Sequence, residues 1–219
     1  IPTAGKMTSL RLLKNLKKEL LRLHKALCAK AKEFDHVIKM GRTQMQDAVP
    51  IRLGQEFNAY SVAVMRDIHR MDRAMEEMCT LNMGGTAVGT GINADEAYLR
   101  RIVPNLVEVS DMEFVQAYDL IDATQNLDPF VAVSGAVKAC AVTLSKIAND
   151  LRLMSSGPRA GFGEINLPAK QNGSSIMPGK VNPVIPEVVN QVAFNVIGND
   201  VTITMAAEAG QLELNAFEP

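Results

Sequence analysis

A stripe of apolar residues at helical spacing runs through the first part of the chain, from about Leu10 to Ile38. Its members recur every three or four positions, and the charged residues of the same stretch lie largely off it, as in an amphipathic helix. At ~1.5 Å per residue such a helix is about 40 Å long, and few small domains can cover that length. The pattern therefore favours a long helical bundle. The stripe consists of Leu13, Leu16, Leu20, Leu23, Leu27, Ala31 and Phe34.

Four further helical stretches are predicted, and strand-like alternation is nowhere longer than a few residues. Pro104 and Pro129 are expected to kink or bend two of these helices. The predicted fold class is all-α, a long up-and-down bundle of about five helices that forms one domain over residues 1–219. The four stretches run from about Leu53 to Met83, Glu96 to Val109, Val115 to Met154 and Pro186 to Gln211.

The last stretch is apolar on most sides of its axis, which is typical of a helix buried on most sides. A five-helix chain can hardly cover such a helix alone, so partner subunits are expected to cover it. The chain also begins at Ile1 without an initiator methionine, and it is interpreted as a piece of a longer polypeptide.

Two polar blocks interrupt the helical pattern. Residues Gly173–Pro183 have the sequence GSSIMPGKVNP, which combines two hydroxyls, a lysine and a carboxamide with glycines and prolines that exclude helix and strand. Residues Gly41–Pro50, with the sequence GRTQMQDAVP, are followed by Leu53–Glu56 (LGQE). Long polar loops in a chain of helix formers usually serve binding or catalysis.

Both blocks resemble motifs of the aspartase/fumarase superfamily, in its order and at about its separation, and the similarity is greatest to the aspartase branch. The resemblance implies the central helical region of a lyase with a further domain on each side. It implies a homotetramer whose active sites are each built from three chains, with a small dicarboxylate substrate and no organic cofactor. It also implies reversible loss of ammonia from L-aspartate to give fumarate, and an isolated piece that is inactive without its carboxylate-binding loop.

Elimination of this kind removes a weakly acidic proton next to a carboxylate, so the negative charge must be held by preorganised donors. By resemblance Ser174 is the catalytic base, which requires that nearby donors or cations stabilise its deprotonated form. Lys180 and Asn182 would bind the reacting carboxylate, and Ser175 would add a further substrate contact. From the other block, Thr43 and Gln44 would also bind substrate.

Related fumarases carry histidine at the position of Gln44, paired with a glutamate at the position of Glu187. Because glutamine cannot shuttle a proton, Gln44 favours an aspartase over a fumarase, although a fumarase or another fumarate-releasing lyase remains the alternative. A non-catalytic helical assembly module is the second alternative. Thr43 and Gln44 could simply form a turn, Lys180 could be a solvated lysine, and Glu187 could serve the helix dipole.

Other function classes receive little support from the sequence. The net charge of −1 gives no electrostatic case for binding nucleic acid, and no apolar run reaches the ~18 residues of a membrane span. The three histidines lack the spacing of metal ligands, so no metal site is predicted. Three scattered cysteines without a CxxC pair indicate reduced thiols and a cytoplasmic protein.

Overall fold

The computed structural model describes residues 1–218, and within them the predicted all-α fold is confirmed. Six helices and four short strands are present in this range, where about five helices were expected. In chain order the elements are α1 (Pro2–Glu33), β1 (Ile38–Thr43), β2 (Gln46–Arg52), α2 (Leu53–Glu77), β3 (Thr80–Leu81), α3 (Glu96–Ser110), β4 (Val115–Gln116), α4 (Leu120–Gln125), α5 (Asp128–Met154) and α6 (Val184–Glu208).

The residues fall into two compact units, and each of the four long helices contributes to both. Unit 1 contains residues 1–26, 65–136 and those from 200 onward, and unit 2 contains residues 27–64 and 137–199. The stripe of α1 is confirmed by burial, since Leu13, Leu20 and Leu27 are all at most 6% exposed.

Unit 1 has a core of methionine, aliphatic and phenylalanine side chains. Met78 and Leu81 are fully buried there, and they follow the end of α2 at Glu77, so this helix is shorter than predicted. The extended pair Thr80–Leu81 hydrogen-bonds in parallel to Val115–Gln116. The buried members of this core are Leu10, Met78, Leu81, Val103, Met112 and Phe114.

The single helix predicted from Val115 to Met154 is in fact two helices, α4 and α5. Asp119 caps α4 by accepting hydrogen bonds from the amides of Ile121 and Asp122. Pro129 is the second residue of α5, where a missing N–H costs nothing because first-turn amides have no helical partner. Pro129 therefore marks a helix start instead of a bend, and α3 runs through Pro104 uninterrupted.

No strand was predicted for Ile38–Arg52, where the sequence shows no long strand-like alternation, but the structure has two strands there. Strands β1 and β2 form an antiparallel hairpin in unit 2. Gln44 and Met45 form its two-residue turn at φ 51 and 65, the mirror-image turn that matches strand twist. Because most residues on both faces of the hairpin are exposed, the sequence lacks the alternation by which a half-buried strand is recognised.

Helix α5 is, by length and composition alone, apolar enough to cross a membrane, although charged residues such as Lys138 and Lys146 leave it without an unbroken apolar run of the expected length. The core helix of a soluble protein meets the same criterion, so the absence of a membrane partner stays a prediction.

Candidate active site

All the site residues predicted from the sequence lie in unit 2, on two structures. Thr43 and Gln44 lie at the tip of the β1–β2 hairpin, and the others lie in the long loop after α5 or at the start of α6. The second group consists of Ser174, Ser175, Lys180, Asn182 and Glu187.

The segment Gly173–Pro183 is neither helix nor strand, as predicted. Its backbone closes on itself, because the amide of Ser174 donates to the carbonyl of Lys180 at 2.9 Å and the amide of Lys180 donates to Met177 at 3.1 Å. Gly179 has a φ of +83°, which glycine adopts without strain. We call Gly173–Pro183 the serine loop.

Ser174 is half-buried as a residue, and its hydroxyl is hydrogen-bonded within this loop. Its Oγ accepts hydrogen bonds from the amides of Ile176 at 3.2 Å and Met177 at 3.1 Å. Donors aimed at an oxygen favour the form that carries more negative charge. The loop therefore supplies two of the donors that a serine base requires. The neighbouring Ser175 is exposed.

A cavity of about 560 Å³ separates the serine loop from residues 155–169 of the same unit. Lys180 and Asn182 line it, whereas Ser174 and Ser175 do not. The backbone carbonyl of Asn182 also accepts from the amide of Val184 at 2.9 Å, which fixes Asn182 against the first turn of α6. Much of the lining is polar and includes Ser155, Ser156, Asn166, Lys180 and Asn182.

Thr43 and Gln44 are exposed at the hairpin tip. Thr43 pairs with Gln46 across the turn. Within residues 1–218, no hydrogen bond or ion pair joins these two side chains to the serine loop. The two predicted groups of site residues therefore lie on different structural elements of unit 2.

Glu187 lies in the first turn of α6, as predicted. Its carboxylate is 3.8 Å from the guanidinium of Arg152 on α5, and Arg152 also donates to Asn190 at 3.4 Å. Both observations fit the structural interpretation of Glu187, in which it serves the helix start and an ion pair.

An ion-pair cluster near the hairpin was not predicted from the sequence. The carboxylate of Glu164 contacts Arg42 Nη1 at 2.5 Å and Lys39 Nζ at 2.6 Å, and Lys39 also contacts Glu56 at 2.9 Å. Burial opposes ionisation of Glu164, but the ion pairs with Lys39 and Arg42 outweigh it and hold its pKa below the ordinary value. Partners 122 residues apart leave no local signal in the sequence.

Among residues 1–218, no group of three or more His, Cys, Asp or Glu side chains is arranged to hold a metal ion. The absence of a cofactor stays a prediction.

Comparison with known proteins gives consistent matches over the chain. The family described as Lyase matches residues 1–198. Aspartate ammonia-lyases of Bacillus subtilis and Helicobacter pylori are each 58% identical over 218 residues, which is 100% of this chain and 46% and 47% of those proteins. The chain thus spans about half the length of these curated relatives.

Solved structures show the same fold. A fumarate lyase:delta crystallin from Brucella melitensis, bound to cobalt, superposes with a TM-score of 0.96 at 54% identity, covering 100% of this chain and 47% of that one. A class II fumarase from Schistosoma mansoni superposes with a TM-score of 0.94 at 36% identity, covering 100% and 49%.

Proposed function

The chain belongs to the Lyase family of the aspartase/fumarase superfamily, and from that premise we propose that it is the central part of a cytoplasmic aspartate ammonia-lyase. The complete enzyme would convert L-aspartate reversibly to fumarate and ammonia. The observation that carries this assignment is the serine loop, where the hydroxyl of Ser174 accepts two amide hydrogen bonds. The 58% identity to two aspartate ammonia-lyases supports the choice of substrate.

In the proposed mechanism, Ser174 takes a proton from the carbon next to the one that bears the amine. The electron pair left behind moves into the adjacent carboxylate, which becomes a doubly anionic enediolate. This pair then forms the carbon–carbon double bond, and the carbon–nitrogen bond breaks as ammonia leaves with its electrons. The amides of Ile176 and Met177 support the first step because they stabilise the deprotonated serine.

Lys180 and Asn182 are proposed to hold the carboxylate that takes the charge, since both line the polar cavity. An ammonium and a carboxamide offer donors, and the ammonium adds a positive charge that favours the enediolate over the ground state. Ser175 is proposed to add a substrate contact from the same loop. No organic cofactor is needed for this chemistry.

Thr43 and Gln44 are proposed to bind the substrate from a second subunit of a homotetramer. Their exposure at the hairpin tip suits a role in a neighbour's site. The exposed apolar residues of α6, such as Val188, Val192 and Phe194, support partner subunits because each is more than half exposed in the single chain.

Steady-state assays of the complete polypeptide with aspartate and with malate, following fumarate, test the assignment. Rapid fumarate release from aspartate alone is expected, because Gln44 cannot relay the proton that a His–Glu pair would handle. Faster release from malate would indicate a fumarase, and release from neither would favour a helical module without chemistry. The 219-residue chain alone is expected to give little or no fumarate.

A further inference from the structure

One carboxylate holds both cations of strand β1. Glu164 Oε1 contacts Arg42 Nη1 at 2.5 Å, and Glu164 Oε2 contacts Lys39 Nζ at 2.6 Å. The side chains are well covered, with exposed fractions of 15% for Glu164, 10% for Lys39 and 24% for Arg42. Ion pairs with this little exposure are screened less by water and salt than pairs on an open surface.

The segment that carries Glu164 is itself fixed to the end of α5. The amide of Glu164 donates to the carbonyl of Met154 at 2.8 Å, and the amide of Gly163 donates to Ser156 at 2.8 Å. The guanidinium of Arg42 also lies over the ring of Phe162, 4.3 Å from its centroid. The carboxylate is therefore a fixed point against which the hairpin is held.

Among residues 1–218, the side chains at the tip of the hairpin form no ion pair or hydrogen bond comparable to those of Lys39 and Arg42. Thr43, Gln44 and Met45 are exposed, and Thr43 directly follows Arg42 in the chain. The position of the tip is therefore decided by how firmly its base is held. Errors of about 1 Å in the placement of a substrate-binding group can cost on the order of 100-fold in rate.

We propose that Glu164 is a positioning residue: by holding Lys39 and Arg42 it sets where the hairpin tip presents Thr43 and Gln44 to the substrate. This inference rests on the proposed function for its kinetic consequence. The contacts of Glu164 with Lys39 and Arg42, which we call the tether, are a property of the chain itself.

Two other carboxylates that contact Lys39 or Arg42 do not combine the same contacts. Glu56, on α2, contacts Lys39 at 2.9 Å, and Asp47 lies 3.5 Å from Arg42 with a side chain that is 74% exposed. Glu56 therefore ties the hairpin to α2 alone, and Asp47 belongs to the hairpin. Only Glu164 among these three connects the hairpin to the segment that leads into the serine loop.

The kinetic test uses Glu164→Gln, which keeps the shape and removes the charge, and Glu164→Asp, which keeps the charge on a shorter side chain. The matched control is Glu33→Gln, since Glu33 forms an exposed ion pair with Lys30 in the same unit. In the complete polypeptide we expect Glu164→Gln to raise KM about tenfold or more, with kcat changed less than about threefold. Glu164→Asp should recover part of the loss, and the control should match the unmodified protein.

The change in KM separates positioning from a merely structural role. A variant that only destabilises the fold lowers the fraction of active enzyme, which lowers kcat and leaves KM unchanged. Combining Glu164→Gln with Arg42→Gln adds a second criterion, because two residues that act through one contact give a double variant little worse than the worse single variant. An unchanged KM in Glu164→Gln, or full additivity with Arg42→Gln, would overturn the proposal.

Amide hydrogen exchange gives an answer that does not depend on the reaction. In Glu164→Gln, exchange should accelerate by about tenfold or more in residues 38–52 and stay unchanged in α3. If the unmodified protein turns over malate instead of aspartate, the proposed function fails and KM is measured for malate. If it turns over neither, exchange alone decides, and unchanged exchange in residues 38–52 overturns the tether.

Discussion

The hairpin of residues 38–52 and the serine loop carry the two groups of proposed site residues, and they are held in different ways. The hairpin depends on distant partners: Glu164 contacts both of its cations on β1, and Glu56 on α2 contacts Lys39 at 2.9 Å. The serine loop depends mainly on itself, through the hydrogen bond between Ser174 and Lys180 and the two amide bonds to Ser174 Oγ.

From this difference we expect the two regions to have different roles in the proposed reaction. A group that takes a proton must sit among donors with fixed geometry, and a short closed loop provides them from its own backbone. A group that only contacts substrate can lie at the tip of a hairpin, provided that contacts at the base hold the hairpin in place. Changes in the serine loop should therefore act on chemistry, and changes in the hairpin should act on binding or stability.

Removal of the Ser174 hydroxyl should have the largest effect. In Ser174→Ala we expect kcat to fall about 100- to 10,000-fold, the usual contribution of a general base, with KM little changed. Steady-state kinetics of the complete polypeptide measure this. Ser9→Ala on α1 is the control, because alanine suits a helix and Ser9 lies in unit 1. A kcat within about tenfold of the unmodified value would refute the serine base.

The backbone of the serine loop should come next. Gly179→Ala places a side chain at φ +83°, which costs about 1–2 kcal/mol although no atom lies within 4 Å of the new Cβ. We expect kcat/KM to fall about tenfold. Gly173→Ala is the matched comparison, since its Cβ would meet only ordinary contacts, the closest at 3.5 Å from the Lys180 carbonyl. Equal losses in both variants would argue against control by backbone conformation.

The hairpin turn should respond in the opposite direction. Met45→Gly removes the backbone strain of a residue at φ 65, which stabilises the folded state by about 1–2 kcal/mol. Glycine also gives the unfolded chain more conformational entropy, which lowers stability by about 0.5–1 kcal/mol. The expected net gain in the free energy of unfolding is about 0.5–1 kcal/mol, measured by urea denaturation. Met40→Gly, on β1 without a positive φ, should instead destabilise the protein. A loss in both variants would mean that the Met45 side chain outweighs its backbone strain.

Acidification should give the smallest effect, because burial offsets much of the gain from the ion pairs of Glu164. Its folded-state pKa is depressed, so its contribution to stability is present above the unfolded pKa of about 4.3 and is lost as pH falls through the lower folded value. The difference in the free energy of unfolding between the unmodified protein and Glu164→Gln should therefore shrink below about pH 4. A difference that grows on acidification would contradict this sign.

The long helices could be predicted from the sequence because their burial is periodic. Leu13, Leu20 and Leu27 lie seven residues apart on one buried face, and such a repeat is legible in the order of the residues alone. The start of α1 at Pro2 was not predicted, since the apolar repeat begins only near Leu10. The break between α4 and α5 was not predicted either. Proline occurs both in the first turn of a helix and at a kink within one, so Pro129 alone does not distinguish the two.

The candidate site was predictable to the extent that it is local. The polar composition of the serine loop, with its glycines and prolines, is enough to predict a segment that is neither helix nor strand and that serves binding or catalysis. Its internal hydrogen bonds involve residues at most six positions apart, so neighbouring residues in the chain determine its shape. Whether Thr43, Gln44 and the serine loop act on one substrate stays a prediction, since the single chain does not join them.

By itself, the amino-acid sequence determined the helical class, the family and the polar loop, because periodic burial and a short run of residues leave their record in adjacent positions. Tertiary structure alone decided that residues 38–52 form a hairpin and that Glu164 holds it. A strand pair with most of its residues exposed leaves no alternation of apolar and polar residues. An ion pair between residues 42 and 164 forms only when the folded backbone brings distant charges within hydrogen-bond distance.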